Sequence, residues 1–312
     1  MIRPYGSVPT HIREPIYGRS TSSVPFHGVE DASRGPHRFW DVFVLRTACQ
    51  TIVTAARWSN EATFISSVNE MDTATVVRTD PASAKSQRPS MRLIVAEAFA
   101  LIGPSSAPQL QPTSRPVRAG DGHAVLVLPS LLSGDTYTTL VRQFLTSHGY
   151  SAHGWNLGLN VGPTKRLLDG AAERLIELSD IHGPLSVVGF SMGGLFARWL
   201  SLRMPDRIRQ IITICSPIRE PVRNFWLPLE PFLGLWPDND ILKLSEEIAQ
   251  PLPVPGTFLF SRDDGCVNYT SCWDANATMD DHIEISVPHV LIARSPIVMD
   301  VLAQRLARRF PA

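Results

Sequence analysis

With 312 residues, 44% of them hydrophobic, the chain is long enough to bury one large core. Its 29 basic residues balance 29 acidic ones, which removes the electrostatic argument for nucleic acid or an anionic membrane as partner. No run of about twenty apolar residues occurs, and four cysteines do not make a disulfide scaffold.

Residues 1–88 are rich in Pro, Ser, Thr and Arg and carry no motif. They are predicted to be an irregular or disordered extension with one helix around Trp40 to Trp58. That stretch is the most apolar part of the extension, but Asp41, Arg46 and Arg57 break it, and it starts too deep for a secretory signal. A cytoplasmic location without a transmembrane segment is therefore expected, and Met71 and Met91 stand as alternative initiators. Residues 89–120 are read as a short helix, Met91 to Ile102, and a Pro/Ser linker. Residues 121–312 then alternate strand and helix without internal repeats. That pattern predicts an α/β domain with a mostly parallel sheet flanked by helices.

Ala124-Val-Leu-Val-Leu128 reads as the first buried strand, followed by the loop Pro129 to Gly134. Further on, Leu185 to Gly194 reads as a strand, a sharp glycine turn and a helix start. Within it, Gly189-Phe190-Ser191-Met192-Gly193 has the G-x-S-x-G spacing of a nucleophile elbow. Crowding at a strained strand-to-helix turn demands flanking glycines, and the turn lifts the serine hydroxyl clear of the sheet. Ser191 is thus the candidate nucleophile. Acyl chemistry at such a serine needs two backbone N–H donors for the oxyanion. Met192, after the serine, supplies one; Leu131 is assigned the other, with Ser130 as the alternative.

Ile211 to Ile214 reads as the next strand, with Cys215 a small apolar residue at its end. Between Ser216-Pro217 and Pro255 lies an insertion, the candidate cap or lid of about 217–255. It holds Phe225, Trp226, Leu227, Phe232, Leu233, Leu235 and Trp236, and one helix, Ile241 to Ile248, capped by Asp238 or Asp240. An apolar lid could form an acyl pocket and exclude water.

Thr257 to Ser261 reads as a strand and Arg262-Asp-Asp-Gly265 as a turn at its carboxyl end, where parallel-sheet enzymes place their chemistry. Asp263 and Asp264 compete as the acid of a triad. Asp264 is favoured, because Gly265 lets the backbone turn sharply and aim that carboxylate inward. Cys266 and Cys272 follow; a bridge between them would brace this loop but would require an oxidising compartment. Ile283 to Val287 alternates like a terminal strand, and His289 follows Pro288 at its end. His282 is the nearest rival base, but it begins the strand and lies at the wrong end. Ser295-Pro296 supplies an N-cap and first-turn proline for a last helix striped by Val298, Val301, Leu302 and Leu306. No Cys/His cluster has zinc-ligand spacing and no phosphate-cradling glycine loop occurs, so neither metal nor cofactor is expected.

Together these residues resemble the α/β-hydrolase family, in particular its bacterial esterase/lipase-like serine hydrolases. The resemblance runs from about Pro89 to Phe310 and includes Gly149-Tyr150, His153-Gly154-Trp155, Asn160 and Gly162-Pro163. It implies an α/β-hydrolase fold with Ser191 as nucleophile, Asp264 as acid and His289 as base. The apolar lid and the zero net charge suggest a small, hydrophobic, uncharged carboxylic ester as substrate. Acyltransferase, lactonase and amidase chemistry use the same parts, and a non-catalytic binding module is the rival from another class. One departure stands out: Ser130 occupies the place of the family's usual glycine.

Overall fold

The computed structural model describes residues 89–102, 120–219 and 240–308. The extension 1–88 with its predicted helix, most of the linker, and the lid aromatics Phe225 to Trp236 lie outside these described residues.

Strand β1, Ala124–Leu128, is five apolar residues with every one buried, as a strand covered on both faces must be. Its side chains alternate between two cores. Leu126 and Leu128 enter a cluster with Trp155, Leu167, Leu175, Phe196 and Leu200. Val125 and Val127 enter another with Val141, Leu145, Val298 and Leu302. Removing each such side chain from water contributes about 1.5–3 kcal/mol, and the helices on both faces follow from that demand. Helix α1 is Met91–Ile102, ahead of β1. The others are α2 (Thr139–Ser147), α3 (Lys165–His182), α4 (Met192–Arg203), α5 (Asp240–Ile248) and α6 (Pro296–Leu306). The strands after β1 are β2 (Ser151–Gly154), β3 (Leu185–Phe190), β4 (Ile208–Ile214), β5 (Gly256–Phe260) and β6 (His282–Glu284).

The six strands form one sheet in the order β2-β1-β3-β4-β5-β6, and every pairing is parallel. The chain steps outward from β1 to β2, then returns across β1 to β3 and winds the other way. The reversal lies between β1 and β3, where ligands of open parallel sheets bind outside the carboxyl ends.

Several predicted bounds shift. The last strand is three residues long rather than Ile283 to Val287, although Ile285 N–H still donates to Phe260 O (2.9 Å). His282 belongs to that strand. Helix α5 begins at Asp240 itself, so this residue is inside the helix instead of capping it. Pro296 occupies the first turn of α6 as expected, but the Ser295 side chain makes no capping bond. Cys215, Cys266 and Cys272 are buried, and no disulfide joins Cys266 to Cys272.

Two buried polar groups tie outlying pieces to this body. The Arg198 guanidinium on α4 donates to Ile248 O (2.7 Å) and Gln250 O (3.0 Å) at the end of α5, and pairs with Asp274. A cation at a helix C-terminus complements the carbonyls left unpaired there. Glu97 on α1 accepts hydrogen bonds from the backbone of both the Gly265 turn and the His289 loop. Helix α1 is therefore tied through Glu97 to the loops that follow β5 and β6.

His282 is held neutral. Its ring stacks on Trp273 (3.6 Å between centroids, 13°), Nδ1 lies 2.8 Å from Thr278 O, and Nε2 accepts the Asp274 N–H (3.1 Å). Burial pushes its pKa below the ordinary value against the opposing hydrogen bonds and the charges of Asp274 and Asp281. A lowered pKa gives stability that is complete above the free imidazole value of about 6.5 and is lost as pH falls through the folded value. Melting temperature should thus drop between neutral pH and pH ~5, and His282→Phe should shrink that drop. An unchanged pH slope in this variant would refute the assignment.

Candidate active site

Ser191 follows β3 with φ 50° and ψ −117°, a left-handed conformation that costs a non-glycine residue about 1–3 kcal/mol. Two hydrogen bonds hold it there: Ser191 N–H to Ile214 O (2.8 Å) and Gly194 N–H to Ser191 O (2.9 Å). The glycines answer to crowding. A Cβ on Gly193 would lie 2.5 Å from Leu128 O, and one on Gly189 would lie 2.5 Å from the Gly193 carbonyl carbon. The turn therefore presses directly against the end of β1 and the loop after it.

That loop carries Leu131. It is fastened by Asn160, whose side chain donates to Pro129 O (2.8 Å) while its backbone exchanges bonds with Leu132 N–H (2.7 Å) and Ser133 O (2.8 Å). Asn160 is fully buried, and Gly162 N–H fixes its amide by donating to Oδ1 (3.0 Å). Leu131 follows Ser130 on this loop, and Met192 opens α4 directly after Ser191. Ser130 is buried beside them.

The acid turn leaves β5. Asp264 Oδ1 accepts Cys266 N–H (2.8 Å) and Val267 N–H (2.7 Å), which leaves Oδ2 to meet His289 Nδ1 at 2.6 Å. Asp264, not its half-buried neighbour Asp263, faces the imidazole. Ser261 Oγ accepts from Asp263 N–H (3.1 Å) and Val287 N–H (3.2 Å), joining the acid turn to the histidine loop. With a carboxylate at Nδ1, the ring carries its proton there and Nε2 is the acceptor. Burial pushes the His289 pKa down, but the charge and hydrogen bond of Asp264, helped by Glu97, outweigh it and hold the value above the ordinary one.

Sequence reasoning missed Cys215. It was read as a plain apolar strand end; it instead adopts φ 49°, and its thiol reaches Asp264 and His289. Burial pushes this thiol well above its ordinary pKa, so it stays protonated and is no rival nucleophile. Through Ile214 and Cys215 the end of β4 links the elbow to the acid–histidine pair. Positive φ was the only local clue, and a sequence does not display it.

Ligand atoms of Cys215, Asp264 and His289, and of Glu97, Asp264 and Cys266, lie within 4.8 Å of one another. The Asp264 oxygens meet the Cys266 and Val267 N–H groups and His289 Nδ1, and the Glu97 oxygens meet the Gly265, His289 and Val290 N–H groups. Ser191, Asp264 and His289 are 1%, 2% and 8% exposed, and such a dry site strengthens every charge interaction in it. A cavity of about 420 Å³ lies apart from them, lined by Arg198, Ile218, Ile248, Trp273 and Asp274.

A model of the alpha/beta hydrolase fold matches residues 148–243. One similar solved structure comes from work on LipS and LipT, two metagenome-derived lipolytic enzymes. It is 15% identical, covers 60% of this chain and 94% of that one, and has a TM-score of 0.49. Naproxen esterase from Bacillus subtilis is 16% identical over 61% of this chain and 86% of that one, with a TM-score of 0.39. Mouse alpha/beta hydrolase domain-containing protein 10 is 15% identical over 60% and 89%, with a TM-score of 0.41. No curated protein matches the chain. With its six parallel strands and the matching fold model, the chain is an α/β-hydrolase-fold protein, as its sequence led us to expect. No helix among the described residues is long and apolar enough to cross a membrane.

Proposed function

We propose that the protein is a serine hydrolase of carboxylic esters, working through an acyl-enzyme intermediate without a cofactor. The observation that carries this reading is the His289–Asp264 contact of 2.6 Å, formed by loops at the same sheet edge as the strained Ser191. In this reading His289 Nε2 takes the Ser191 proton as Oγ attacks the ester carbonyl. The N–H groups of Met192 and Leu131 receive the developing oxyanion, and the N-terminus of α4 adds its positive end. His289, now an imidazolium stabilised by Asp264, returns the proton to the leaving alcohol. Water deprotonated by His289 then attacks the acyl carbon, and Ser191 is regenerated as the acid departs.

A small, uncharged, hydrophobic ester is the proposed substrate. The apolar composition of the lid segment and the zero net charge support it. A series of p-nitrophenyl esters from acetate to dodecanoate tests both parts. The expected result is turnover that rises with acyl length over the first several carbons, because each buried methylene contributes about 0.8 kcal/mol. Preference for acetate would remove the apolar pocket from the proposal. No turnover of any ester, with covalent labelling also absent, would favour a non-catalytic binding module.

A further inference from the structure

We propose that Glu97 is a positioning residue for the acid–histidine pair: one carboxylate from α1 holds the two loops that carry Asp264 and His289 in register. Glu97 Oε1 accepts the N–H of Gly265 (2.8 Å) and of His289 itself (2.6 Å), while Oε2 accepts the Val290 N–H (3.0 Å). The side chain comes from a helix far away in sequence and is only 5% exposed. Ladder pairing between β5 and β6 ends at Phe260 and Glu284. Beyond that point, besides the Asp264–His289 contact itself, Ser261 Oγ and the Glu97 carboxylate join the acid turn to the histidine loop among the described residues.

Gly265 shows how closely the helix approaches. The expected reason for this glycine was freedom to turn, yet its φ is not positive. A Cβ there would instead collide with the Leu93 carbonyl and lie 2.7 Å from Glu97 Cγ. Glycine is required because the backbone of α1 packs directly on the acid turn.

The carboxylate also contributes charge. Asp264 and Cys266 each offer a ligand atom within 4.8 Å of it, and His289 and Cys215 feel its field. Burial raises the Glu97 pKa, the His289 charge opposes that rise, the Asp264 charge adds to it, and the Val290 and Gly265 N–H bonds oppose it. In the ionised form it holds the imidazolium of His289 from the backbone side while Asp264 holds it at Nδ1. The kinetic consequence rests on the serine hydrolase reading; the geometric one does not.

Full-chain Glu97→Ala and Glu97→Gln test this by proton NMR and by ester kinetics, with circular dichroism as the check on folding. The wild type should show a far-downfield imidazole N–H resonance that Asp264→Asn removes, and Glu97→Ala should broaden or lose it. Glu97→Ala should lower kcat about 10- to 100-fold with KM nearly unchanged, the cost of sub-ångström to ångström misplacement. Glu97→Gln keeps an oxygen for two N–H groups and loses the charge. It should recover part of kcat and move the acid limb of the pH profile to lower pH, and it decides the matter if the alanine variant does not fold. A folded variant with both the resonance and kcat unchanged overturns the proposal. Without wild-type turnover the hydrolase reading falls, and the resonance alone decides the role of Glu97.

Discussion

Ser191→Ala should lower kcat for ester hydrolysis by about 10⁶-fold, the loss expected when the nucleophile of a cooperative triad is removed. Far-UV circular dichroism should be unchanged, since alanine and serine meet the φ of 50° with the same backbone cost. A useful control lies at the opposite end of the sheet. There Asp121 pairs with His123 Nδ1, and His123 Nε2 sits 2.8 Å from Ser186 Oγ. The three side-chain types of a proton relay are present, in the wrong setting. Ser186 is the second residue of β3 and is fully buried within the strand, away from its carboxyl end. Ser186→Ala should leave kcat near wild type. Retained activity in Ser191→Ala would place the chemistry elsewhere.

The second large effect is expected from Asp264→Asn, about 10⁴-fold in kcat. The reason lies in the oxygen that does not touch the histidine. Oδ1 accepts the N–H groups of Cys266 and Val267, so an asparagine must keep its oxygen there and turn its NH2 toward His289 Nδ1. The ring must then accept at Nδ1 and carry its proton on Nε2, where it can no longer receive the Ser191 proton. The pH profile gives an independent sign. Asp264 is the largest influence raising the His289 pKa against burial. The wild-type rise of kcat/KM should therefore be centred above the free imidazole value of about 6.5, and residual activity in the variant should rise at lower pH. Asp263→Asn should change little. Reversed magnitudes for the two aspartates would overturn the assignment of the acid.

The parts visible in the sequence are those whose causes are local. β1 and β3 could be read because strands covered on both faces must be continuous apolar runs. The elbow could be read because collisions around a tight turn force glycine at Gly189 and Gly193. Helix α1 was placed at its observed bounds, Met91–Ile102, yet its purpose was invisible. Glu97 matters through amides of Gly265, His289 and Val290, and no periodicity in one helix announces such partners. Gly265 was identified as special for the wrong reason, since a glycine required by an approaching helix looks the same as one required by a turn. Cys215 resembles core, and Arg198 stands within the apolar stretch Leu195 to Leu200 although it fastens α5 to the body. The edge strand β6 was drawn too long, because alternation persists in the loop after pairing with β5 has ended.

The convergence of Ser191, Asp264 and His289 into one reactive centre is tested most directly by treating the folded, full-length protein with a fluorophosphonate. The adduct is then located by mass spectrometry of its peptides. A single modification on the peptide carrying Ser191, abolished in Asp264→Asn at the same exposure, is the predicted result. An unmodified protein, or an adduct on Ser130 or Ser186 in its place, would contradict it.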